Sequence, residues 1–176
     1  GLRLTRPDSP GTSIQVVDFR VPTAEERLED EELADQITEM AIRWFWPAIH
    51  RGDLEVAVEL EDETKMASIE EHPQYKPFTS SLTGRNNSVS ELENPGDVKQ
   101  AIIPLSVPKT SDGEDGADGE LDLLVRRAEP DESQYQNKVA FVRGAGMVVE
   151  YYDRDRVVVG NKDFHAVLLG GRARPW

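Results

Sequence analysis

Three histidines, His50, His72 and His165, are the only side chains here whose ordinary pKa suits proton transfer near neutrality. A metal centre needs several such ligands converging on one point. These three lie far apart in the chain, with no i, i+4 pair to share a helix face. The run from Asp112 to Gly119 has the composition of a calcium loop. Its spacing fails, because Gly116 stands where a ligand is needed and no helical pattern flanks it, so we read it as a solvated loop. Nucleophilic catalysis would need a serine or threonine held beside a base, yet there is no G-x-S-x-G and the serines cluster in polar stretches. The phosphate-cradling G-x-x-x-x-G-K-[ST] pattern is also missing. Gly144-Ala145-Gly146 lacks the third glycine and the following helix of a dinucleotide site, which leaves a hairpin turn. Carboxylates are too numerous for any pair to stand out. The residues spell no active site.

Composition narrows the classes further. The 176 residues carry 20 Lys and Arg against 34 Asp and Glu, a formal charge of −14. Such a field repels a phosphate backbone unless the basic residues cluster, and the two short clusters, Arg126–Arg127 and Arg172–Arg174, are not interleaved with aromatics. Nucleic acid is therefore not the expected partner. The absence of cysteine excludes disulfides and thiolate sites and fits an intracellular, cytoplasmic chain. The longest apolar stretches, such as Val157–Val159 and Ala166–Leu169, are too short to span a bilayer, so no membrane association is expected.

The elements that would position any site are α+β. Ile14 to Phe19 reads as a short strand after the turn Ser9-Pro10-Gly11. Thr23 and Glu26 have capping-box spacing, and Leu33, Ile37, Met40, Ala41, Trp44 and Phe45 recur every three or four residues. A helix over about 24–46 follows, with Trp44 and Phe45 in the core, Trp46 off the stripe, a kink or stop at Pro47 and a certain stop at Gly52. Asp53 to Leu60 alternates as a one-sided strand, with Leu54, Val56, Val58 and Leu60 inward. Residues 61–97 read as a long mobile loop with a short helix near Ser90–Leu92, and 110–119 as a mobile tip. Strands follow at Ala101–Val107, bent or at an edge because of Pro104 and Pro108, at Leu121–Val125, at Val139–Arg143 and Met147–Tyr152 around a tight turn, at Val157–Val159, and centrally at Phe164–Leu169. The expected fold is a mostly antiparallel sheet of five to six strands covered on one face by the long amphipathic helix. Residues 1–22 form a closing strand and linker, 23–171 one α+β domain, and 172–176 a tail.

Three segments resemble a known family. Pro10-Gly11-Thr12-Ser13-Ile14-Gln15-Val16 resembles the G-T strand that closes the ATP-binding domain of the gyrase/chaperone/histidine-kinase/MutL (GHKL) superfamily. Ala41 to Ile49 followed by Gly52 to Val56, and Val139 to Val149, look like segments that follow that domain in a group of uncharacterised prokaryotic ATPases. The family's Asn/Glu magnesium helix and D-x-G-x-G nucleotide loop do not occur here. The resemblance implies a region at and C-terminal to such a domain, with ATP and magnesium held upstream and no cofactor in this chain. It also implies that a basic residue can approach the γ-phosphate. Lys99, Lys109, Lys138 and Arg143 are candidates, with Arg143 preferred for its place in a matching segment beside the turn.

The functional expectation is a non-catalytic coupling or interaction domain of a GHKL-type ATPase. Its partner would be the ATPase domain of the same polypeptide or another protein, with a homodimer as a further option. A free-standing acidic binding module using a flat sheet edge or Trp46 and Trp176 as contacts ranks second, and an enzyme built on acidic loop residues third.

Overall fold

The computed structural model describes residues 28–106, 118–154 and 162–171. The strands expected at Ile14–Phe19 and Val157–Val159, the Thr23–Glu26 cap, Lys109, most of the 110–119 tip and Trp176 lie outside them. The first described helix, α1, spans Asp30–Arg51. Glu29 caps it in a box with Glu32, and Asp30, Glu31 and Glu32 sit at the positive end of its dipole. Gly52 stops it in the left-handed conformation, φ 74°, returning its N–H to Ala48 and Ile49.

Pro47 does not end α1, which continues to Arg51. Proline at this position removes the donor to the carbonyl of Arg43, four residues back. The Tyr151 hydroxyl fills that gap, donating to the Arg43 carbonyl at 2.6 Å while accepting from Trp46 Nε1 at 3.1 Å. The helix therefore runs one more turn.

The buried stripe of α1 is also not the expected one. Ala34, Thr38, Ile42 and Trp46 face inward at intervals of four, whereas Ile37 and Met40 are 44% and 42% exposed. Both stripes obey the helical period, and the small side chains of Ala34 and Thr38 suit the face that lies against a two-stranded ribbon. That ribbon pairs β1 (Ala57–Glu59) with β2 (Thr64–Met66). Lys65 ties it to α1 through Asp35 at 2.5 Å, a bond that raises the ammonium pKa. The Asp53–Leu60 alternation is real, with Leu54, Val56, Val58 and Leu60 half-buried, but the strand belongs to this ribbon and not to the main sheet.

Residues 61–97 hold more than a loop. A 3₁₀ turn at Pro73–Tyr75 leads into α2 (Lys76–Thr83), followed by a second 3₁₀ turn at Gly84–Asn87. Proline in the first turn suits a helix start, and Ser81 satisfies its buried hydroxyl on the Pro77 carbonyl at 2.9 Å. Residues 90–92 form bends and no helix.

The main sheet has five strands in the order β3-β4-β7-β5-β6: β3 Val98–Ser106, β4 Asp118–Arg127, β5 Lys138–Arg143, β6 Met147–Asp153 and β7 Phe164–Gly170. It is mixed: β5 and β7 run parallel and the other neighbours antiparallel. As expected, β7 is central, β5 and β6 form a hairpin around Gly144-Ala145-Gly146, and β3 is an edge. At Gly146 φ is 108°, and a Cβ would sit 2.9 Å from the Ala48 nitrogen, so glycine lets the hairpin meet the end of α1. Val98 gives its carbonyl to Val89 on the open side of β3, so Pro104, six residues on, also faces outward and its missing donor falls on the free edge.

Two helices share the inner face. α1 packs on β6 and α2 on β7 and β4. Ile42, Trp46, Tyr75, Phe78, Leu124, Val142 and Val167 join in one core, with Trp46 and Phe78 stacked at 5.8 Å.

Candidate interaction surface

Strand β4 inverts the usual pattern. Asp122, Leu124 and Arg126 point inward and are buried, while Leu121, Leu123 and Val125 point to the opposite face and stay half-exposed. Pairing extends this face across the sheet. One row reads Ala101, Leu123, Leu168, Phe141, Glu150 from β3 to β6, and the next Lys99, Val125, Ala166, Val139, Tyr152. A third brings Ile103 beside Leu121 and Gly170, where Phe141 also reaches. Both described helices pack on the other side. Among the described residues the 91–93 segment lies against this face at its Lys99 end, where Phe164 is buried, and Ala166 is buried between its neighbours, while the rest is open to a partner. An antiparallel sheet with one solvated face normally alternates apolar and polar residues. Here both faces are apolar, and a patch of this kind marks a surface built to be covered.

Charges stand at the rim. Lys99, Arg127 and Lys162 line a groove of about 310 Å³ with Glu91, Glu93, Asp163, Leu92 and Phe164. Arg127 donates to the Glu93 carbonyl and Lys162 to that of Leu92 at 2.9 Å. Arg143 is exposed at the far end, opposite Met147. Of the basic candidates, Arg143 and Lys99 share the outer face at opposite ends. Lys138 turns to the other side and pairs with Asp153 at 3.1 Å. The structure therefore does not gather them into one anion site.

Trp46 is no surface contact. It is 0% exposed, because it continues the inward series Ala34, Thr38 and Ile42 and stacks on Phe78 in the aromatic core. The histidines do not meet either: His50 is exposed on the last turn of α1, His72 lies beside Gln74, and His165 is buried in β7. Among the described residues no three His, Asp or Glu side chains converge as metal ligands.

The polar residues beneath α2 form a closed cluster. Arg126 donates to Glu129 and Glu132, each at 2.5 Å, and Glu132 also accepts the Glu129 N–H at 2.8 Å. His165 donates Nε2–H to the Gln134 carbonyl at 3.0 Å, and its Nδ1 has no hydrogen-bond partner and faces Glu132 at 3.9 Å. Burial pushes the imidazole pKa below its ordinary value, against the partial opposition of Gln134 and Glu132. Arg85 likewise clamps the buried Asp122. A cleft of about 420 Å³ opens beside Arg126 and Glu132, but both reach it already saturated by each other. Glu70, on the acidic 61–97 segment, is shifted down by the hydrogen bond from Ser68, the wrong direction for a general acid.

Sequence reading took Leu121, Leu123 and Val125 simply as strand residues and overlooked the charged alternation between them. Asp122 and Arg126 flanking Leu124 was the signal that two faces compete for burial. Among the described residues no helix is long and apolar enough to cross a membrane. No family model, curated protein or solved structure matches the chain.

Proposed function

We propose that this chain is a non-catalytic docking domain of a larger assembly. Following its resemblance, that assembly is a GHKL-type ATPase whose nucleotide domain lies upstream. The observation that carries the reading is β4, which buries Asp122 and Arg126 and leaves Leu121, Leu123 and Val125 for a partner. Burial of ionisable groups is costly unless they are paired, so a strand that accepts this cost while leaving leucines outside is shaped by needs on both faces. The ion pairs of Arg126 with Glu129 and Glu132 beneath α2 support a structural role for these charges.

ATP binding and turnover separate this reading from an enzyme. The isolated 176-residue chain is expected to bind no ATP by calorimetry and to release no phosphate above a protein-free blank, while a protein extended upstream does both. Robust ATP hydrolysis by the isolated chain would refute the proposal.

A further inference from the structure

We infer that the partner on the outer sheet face is a second copy of this chain, stacked face to face about a two-fold axis parallel to β7. The inference rests on the reading of that face as a docking surface and adds who occupies it. Strand order supplies the symmetry, because β7 is central with two strands on either side. A two-fold running along β7, midway between the copies, lays β4 of one copy over β5 of the other and β3 over β6. Each row then meets its own reverse. Leu168 falls on Leu168 of the second copy, and Leu123 on Phe141. In the next row Ala166 falls on Ala166 and Val125 on Val139. The facing positions at the centre of both rows are apolar, as the interior of an aligned sheet packing requires.

The edges complete the match. Lys99 on β3 comes over Tyr152 on β6 of the second copy, one row from Glu150, or roughly 6.6 Å along a strand. A lysine stem spans that step. Lys99 has no ion pair among the described residues, and Glu150 is held beside Tyr152, whose hydroxyl pKa it raises through a hydrogen bond. The two-fold forms this Lys99–Glu150 contact twice.

Net charge favours the same face. A chain of −14 repels its copies over most of its surface, whereas this face is apolar and its rim charges balance, Lys99, Arg127, Lys162 and Arg143 against Glu91, Glu93, Asp163 and Glu150. Strand addition at β3 is the competing mode, and Pro104 removes a donor from that free edge. Five strands about 4.8 Å apart and about five residues deep bury on the order of 1,000 Å² in total, the lower limit for a specific dimer, so a weak, concentration-dependent dimer is expected.

Sedimentation velocity of the full chain from about 1 to about 100 μM tests this. We expect a concentration-dependent dimer. Lys99→Glu and Glu150→Lys should each weaken it about tenfold, and the double variant, with the charges exchanged, should recover to within about threefold of the parent. A chain that stays monomeric throughout overturns the dimer. Outer-face amides protected from exchange in that monomer would point to coverage by the chain's own segments, and open ones to a different protein. The first outcome removes the docking surface together with the second copy, and the second removes the second copy alone. A dimer indifferent to both single variants, or a double variant no better than either, also overturns the inference.

Discussion

Asp122→Ala is expected to lower unfolding free energy by about 3–5 kcal/mol, measured by urea denaturation. Asp122 is 0% exposed on the inner face of β4, and Arg85 reaches it from the Gly84–Asn87 turn with a side chain only 22% exposed. Alanine takes away the carboxylate and leaves a largely buried guanidinium without that counter-charge. Neither group was placed there for net stability, since two well-packed apolar residues do as well or better in such positions. What the pair does is fasten the turn after α2 to the sheet. Asp122→Asn, which keeps an acceptor of the same shape, should lose less. A change under about 0.5 kcal/mol for alanine would show that the ion pair is dispensable.

Trp46→Ala should cost a similar 3–5 kcal/mol. The indole stacks on Phe78 at 5.8 Å, and its N–H is the donor that sets the Tyr151 hydroxyl. That hydroxyl in turn serves the Arg43 carbonyl, which Pro47 leaves without its helical donor. Removing Trp46 therefore opens a cavity and also loosens the device that lets α1 pass through a proline. Thermal unfolding should shift far more for Trp46→Ala than for Trp44→Ala, whose indole is only half-buried. Equal shifts would return Trp44 to the core stripe and Trp46 to the surface.

These two sites show where sequence patterns suffice and where they do not. Gly52, the Gly144–Gly146 turn, the edge proline and the central Phe164–Leu169 strand were legible because each depends on local backbone chemistry. The α1 stripe was not, since two stripes one position apart satisfy the same period and only tertiary contact chooses between them. Pro47 looked like a breaker because its remedy, Tyr151, lies 104 positions away. Helix α2 stayed hidden because its sequence, KPFTSSLT, is rich in Ser and Thr, and Phe78 with Leu82 makes too short an apolar pattern. The outer face was the largest omission. Alternating leucines imply burial, but a sequence cannot say whether the cover comes from the same chain.

The central claim is that β4 points Leu124 into the core and Leu121, Leu123 and Val125 toward a partner. Leu123→Glu and Leu124→Glu, compared by near-ultraviolet circular dichroism and thermal melting, test it most directly. We expect Leu124→Glu, at a position 0% exposed, to abolish the folded signal, and Leu123→Glu to keep the parent spectrum with a melting shift of at most about 5 °C. If Leu123→Glu unfolds the chain as completely as Leu124→Glu, the outer face is an ordinary core and the docking account is wrong.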